Sequence, residues 1–105
     1  MNIIIGEVAA EHLRENYTVL ELETFTVGDN KIKTYCVVNN ISISELPTLD
    51  QHKSLHQKMM DEYNAGNYNF CRDAINHLMG KFDGELDTFY STILDKINSK
   101  TAVLS

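Results

Sequence analysis

From residue 48 onward the apolar positions recur at steps of three and four; before it they alternate or run together in short stretches. That change of period divides the chain into a strand-bearing first half and a helical second half. Thr48 precedes Leu49-Asp50-Gln51, the Ser/Thr-x-x-Gln arrangement of a capping box, which predicts a helix start with the threonine oxygen accepting a backbone N–H. His52, Leu55, His56, Met59, Met60 and Tyr63 then fall on one face, with Lys53, Gln57, Lys58, Asp61 and Glu62 opposite, until Gly66 stops the helix. A second stripe of Cys71, Ala74, Ile75, Leu78, Met79 and Phe82 predicts a helix with Arg72, Asp73, Asn76 and Lys81 outward. Asp83-Gly84 reads as a stop and restart with Asp83 as N-cap, and Leu86, Phe89, Tyr90, Ile93, Leu94 and Ile97 mark the third helix. Leu55, Met59, Cys71, Ile75, Leu78, Phe89, Ile93 and Leu94 are the expected core of this unit.

The first half is shorter in its elements. Gly6–Asn16 carries Val8, Ala9 and Leu13 on a narrow stripe among good helix formers, which predicts a short helix after the apolar run Ile3–Ile5. Tyr17–Thr26 is rich in β-branched and aromatic residues, and Val27-Gly28-Asp29-Asn30 supplies a tight turn, so this segment and Lys31–Val38 form a predicted hairpin. Alternation along the returning strand puts Ile32, Cys36 and Val38 on the expected inner face. Ile41-Ser42-Ile43-Ser44, after Asn39-Asn40, alternates as a third short strand would, and Pro47 ends it.

These elements predict an α+β fold in which a short helix and a β-hairpin pack on a three-helix unit. A chain of 105 residues with one proline and no Ser- or Gly-rich tract is expected to be a single domain over 1–105: the helix and hairpin in 1–47, the three helices in 48–98 and a frayed tail in 99–105. Hydrophobic residues at 43% and charged ones at 23% are a globular composition rather than a disordered one. A formal net charge of −6, with nine dispersed Lys and Arg, opposes binding to nucleic acid. No apolar run approaches the length of a membrane span and no basic leader precedes Ile3–Ile5, so a cytoplasmic protein with no membrane partner is expected. Cys36 and Cys71 fall inside periodic segments and read as small core residues rather than a disulfide.

Two resemblances add to this. Tyr63, Gly66, Tyr68 and Cys71 occupy the places that an aromatic, a glycine, a second aromatic and a small residue hold at the inner turn of a tetratricopeptide repeat. Residues 48–82 therefore resemble a single tetratricopeptide-like helical hairpin. Ile75 and Leu78 stand where the family carries an aromatic and an alanine, and no second copy is present, so the resemblance implies a helical scaffold and not a repeat array. Thr18–Leu22, Tyr35–Val38 and Gly84-Glu85-Leu86-Asp87-Thr88-Phe89-Tyr90 are similar to short uncharacterised proteins of marine bacteriophages, chiefly cyanophages, and of marine environmental sequence. That likeness implies an origin and a self-contained fold, with no activity or site attached.

Three constellations bear on chemistry. His52 and His56, four apart on one helical face, are spaced to share a metal ion, with Cys71, His77 or Asp61 as further ligands; two ligands fall short of a site, and the same spacing is the ordinary helical repeat. Cys71 with His56 or His77 as base is a candidate nucleophile, set against its place where close helix packing wants a small side chain. Glu21, Glu23 and Asp29 are a candidate carboxylate cluster, or else solubilising charges on the outer face of an edge strand. No cofactor motif is present. The sequence thus implies a small soluble accessory or protein-interaction domain, more simply non-enzymatic, with a protein partner or a homo-oligomer formed on the helical surface. The alternative is a small metal-dependent or nucleotide-handling enzyme using His52 and His56.

Overall fold

A computed structural model describes residues 2–38, 41 and 43–102. It has the expected α+β architecture: β1 (Asn2–Ile5), α1 (Glu7–Arg14), β2 (Thr18–Val27), β3 (Asn30–Val38), a 3-10 turn at Ile43–Thr48, then α2 (Leu49–Ala65), α3 (Tyr68–Leu78) and α4 (Asp87–Ala102). β2 and β3 form the hairpin, and β1 pairs with the other side of β3, giving an antiparallel sheet in the order β1-β3-β2. The third strand is thus the Ile3–Ile5 run and not Ile41–Ser44, of which Ser42, like Asn39-Asn40, lies outside the described residues. Pro47 cannot donate to a ladder, and its fixed φ suits the 3-10 turn found there. The Glu45 carboxylate ties that turn to the helices, accepting from the N–H of Phe82 at 2.8 Å and of Asp83 at 3.0 Å.

The sheet is a middle layer. Leu20, Leu22, Cys36 and Val38 face the helical unit and join Met59, Met60, Cys71, Ile75, Leu78, Phe82, Leu86, Tyr90, Ile93 and Ile97 in one core. Val19, Tyr35 and Val37 face the other way and are covered by Ala10 and Leu13 of α1. The Ile32/Cys36/Val38 face is therefore inner at its Cys36 end, but the opposite face is buried there as well, because α1 folds back over it. Between Glu21↔Tyr35 and Thr24↔Lys33 the register shifts by one residue, so β2 carries one extra residue opposite Thr34. This is a β-bulge. The Thr34 hydroxyl donates to the Glu23 carbonyl at 2.7 Å and so satisfies a group the ladder leaves open.

The helical unit differs from expectation at its ends. Thr48 makes no capping bond to the first turn of α2; its hydroxyl instead donates to the Glu45 carbonyl at 3.3 Å, because the preceding 3-10 turn already shapes the helix entry. The second helix ends at Leu78 rather than Phe82. Phe82, Asp83 and Gly84 are successive left-handed residues (φ 55, 58 and 73°), so Asp83 sits in the turn and is not an N-cap. Such a turn is costly for non-glycine residues, and here the Glu45 carboxylate on its N–H groups and the burial of Phe82 offset the strain. Helix α4 starts at Asp87, whose carboxylate accepts from the Gly80 N–H at 2.8 Å, and it continues to Ala102 where a frayed tail was expected; residues 103–105 lie outside the described residues.

Gly66 stands as the turn pattern requires. It has φ 87°, its N–H donates to the Tyr63 carbonyl and that of Asn67 to the Glu62 carbonyl, the paired bonds of a Schellman motif. No neighbour lies within 4 Å of where a Cβ would stand, so a substitution there meets backbone strain alone. Gly66→Val is expected to cost about 1–2 kcal/mol, the left-handed penalty of an L-residue. Asn69→Val, at an exposed position in α3, should cost only a few tenths by helix propensity. Denaturant midpoints of the two variants check this; equal losses would remove the role given to Gly66.

Candidate functional site

Helix α2 runs along the free edge of β2 and presents His56 to it. The His56 side chain is fully buried. Its Nε2 lies 2.6 Å from the Glu21 carbonyl, which can only accept, so Nε2 carries the proton and Nδ1 is the acceptor for the Tyr90 hydroxyl at 2.8 Å. One imidazole thus joins the sheet edge, α2 and α4, with its hydrogen-bonding capacity filled in the neutral form. Phe82, Phe89 and Tyr90 surround it with ring centroids 5.7–6.3 Å away. Burial in this aromatic cage pushes the His56 pKa down to about 4, against the smaller opposing pull of the Glu21 carbonyl. Burial likewise raises the Tyr90 hydroxyl far above its ordinary value.

The residues singled out in the sequence are not brought together. His52 is half-buried against the edge of Phe82, 6.3 Å between centroids, on the same helix face as His56 but with no shared focus, since both nitrogens of His56 are engaged. Among the described residues no group of three His, Cys, Asp or Glu side chains is placed to hold a metal ion. Asp61 faces outward and bonds to Gln57; His77 is exposed on α3. Cys71 is fully buried, and its thiol donates to the Met59 carbonyl at 3.4 Å and lies at the same distance from the Asn67 carbonyl. Burial, then Glu62, raises its pKa, and burial pushes Cys36 up to about 12. Both cysteines are free thiols held in the protonated, unreactive form.

The hairpin carboxylates are neither a cluster nor an exposed row. Glu21 is buried and accepts from the Gln57 amide at 3.1 Å, Glu23 is partly buried and paired with Lys96 at 2.5 Å, and only Asp29 projects from the turn. Glu21 and Glu23 fasten the hairpin to α2 and α4. Sequence reasoning missed this because strand alternation places a side chain on a face but says nothing of which helix lies along the strand's edge.

A different surface stands out. Beyond the bulge, Phe25 takes the helix-side face, where Ile3 also lies through its pairing with Cys36. The helices cover only the Cys36 end of that face. Ile3 is 62% and Phe25 52% exposed, Val27 at the hairpin end is also exposed, and together with Leu22, Glu23 and half-buried Phe89 the first two line a shallow concavity of about 260 Å³. Alternation without the bulge would have sent Phe25 to the α1 side, so no pattern in the sequence marks this patch. No helix of the described residues is long and apolar enough to cross a membrane. No family model, curated protein or solved structure matches the chain.

Proposed function

We propose that the domain is a non-enzymatic protein-interaction module that docks a partner on the outer, helix-side face of its sheet. The observation that carries this is the exposed pair Ile3 and Phe25 beside the concavity floored by Leu22 and Phe89. Clustered apolar side chains left in water favour burial against another protein surface. On this reading the docking face lies on the sheet rather than on the helical surface expected from the sequence, because α2, α3 and α4 spend their apolar stripes on the common core. The complementary partner is an apolar segment of another protein or of a second copy. An accessory role of this kind suits the resemblance to short marine-phage proteins. The enzyme reading with His52 and His56 has less support: His56 offers no lone pair or proton that is not already used, and the buried thiol of Cys71 is engaged with the Met59 carbonyl.

Phe25→Glu and, as a charge control, Lys58→Glu are compared with the unaltered chain as baits in extract of the native host. Phe25→Glu is expected to lose the retained proteins, and any self-association seen by sedimentation, while Lys58→Glu keeps them. An identical set on all three baits would sink the proposal.

A further inference from the structure

The bulge gives the outer half of the hairpin two faces of opposite chemistry. Phe25 points to the helix side, whereas Thr24 and Thr26 share the other face with their cross-strand partners Lys33 and Lys31. Helix α1 covers that second face only over Val19, Tyr35 and Val37 and begins at Glu7, just where the Gly6 N–H bonds to the Lys33 carbonyl at 3.1 Å. What remains uncovered is the floor of a trough of about 790 Å³, walled by Gly6 and Glu7 on the β1 side and by Asn64 of α2 on the β2 side.

Lys31 and Lys33 are two residues apart on one strand face, about 7 Å between backbones, so their ammonium groups repel. Among the described residues neither meets a carboxylate, in contrast to Arg14 and Lys96, which pair with Glu11 and Glu23. Two like charges side by side on one strand face repel each other, and an anion held between them would relieve that repulsion. Their chemistry, with two hydroxyls opposite them in a walled trough, is that of an oxyanion site.

We propose that this trough binds a small ligand bearing a diphosphate group, whose oxygens take charge-assisted hydrogen bonds from Lys31 and Lys33 and neutral ones from the Thr24 and Thr26 hydroxyls. Two ammonium groups on flexible stems suit two linked phosphoryl groups better than a single ion. Glu7 repels negative charge at the α1 end and so confines the anion to the lysine end of the trough. The negative surface elsewhere disfavours a long polyanion, which leaves a small ligand as the fitting class. This site is separate from the apolar docking face and stands or falls independently of it.

The test is a titration of pyrophosphate into the full chain at low ionic strength, followed by backbone amide shifts. Saturable shifts confined to the Thr24, Thr26, Lys31 and Lys33 region are expected. Lys31→Gln combined with Lys33→Gln should weaken binding about tenfold or more, the loss of two charge-assisted bonds. Lys58→Gln with Lys100→Gln, the same change of net charge at exposed positions elsewhere, should leave the affinity unchanged, and Glu7→Gln should strengthen it. The amide spectrum of each variant reports that it is folded. Shifts that do not saturate, that spread over the whole surface, or that weaken equally in both double variants would overturn the site.

Discussion

Acidification from pH 7 to pH 5 is expected to remove about 2 kcal/mol of stability through His56 alone, approaching about 3 kcal/mol by pH 4. His56 is held at about 4 in the fold and returns to 6.5 when the chain unfolds. Between those values the unfolded chain binds the extra proton, so stability falls as the pH drops through the window; below about 4 both states are protonated and the loss levels off. The cause is geometric. A protonated imidazole would be a charge in an aromatic cage, and its Nδ1 could no longer accept from Tyr90. Carboxylates also titrate as the pH falls, so the measurement is the difference between the unaltered chain and His56→Gln in urea unfolding at pH 7 and pH 5. The glutamine amide can donate to the Glu21 carbonyl and accept from Tyr90 without titrating, and its pH profile should be flatter by that amount. Parallel profiles would show that His56 is not buried neutral.

Leu78→Ala should be the most damaging single truncation in the helical unit, at about 3–5 kcal/mol. Leu78 closes α3 with no exposure, packed with Met59, Ile75, Phe82 and Ile93, and the surrounding helices are fixed by the Gly66 turn on one side and by the Glu45-bound turn on the other. A cavity there has little freedom to collapse. Phe89→Ala removes a larger side chain yet should cost less, because Phe89 is half-buried and lines the open concavity beside Phe25. Denaturant midpoints at constant slope decide this; a greater loss at Phe89 than at Leu78 would mean that the concavity is filled in solution.

How much was legible follows from the range over which each signal acts. Met59, Cys71, Ile75, Leu78 and Ile93 were found as core because a helix repeats its face every 3.6 residues, and a stripe of apolar side chains has one place to go. Gly66 was found because a left-handed helix stop is a property of a few adjacent residues. The errors at Asp83 and Phe82 share one cause. Each local reading was sound, but Glu45 reaches 37 residues forward to Phe82 and 38 to Asp83 and settles the backbone there. The His56 partners were illegible for the same reason: Tyr90 and Glu21 lie 34 and 35 residues away in sequence.

Local periodicity and turn chemistry in the sequence by themselves determined the α+β class, the hairpin, the three helices and most of the buried stripe, because those depend on contacts within a turn or two of chain. Only the tertiary structure decided which side of β3 the Ile3–Ile5 run would pair with and that α2 would lie along the β2 edge. It also decided that a single extra residue in β2 would turn Phe25 toward one face and set Thr24 and Thr26 beside the lysines on the other. Edge covering and register depend on segments that meet in space long after they part in sequence, and no local pattern encodes the meeting.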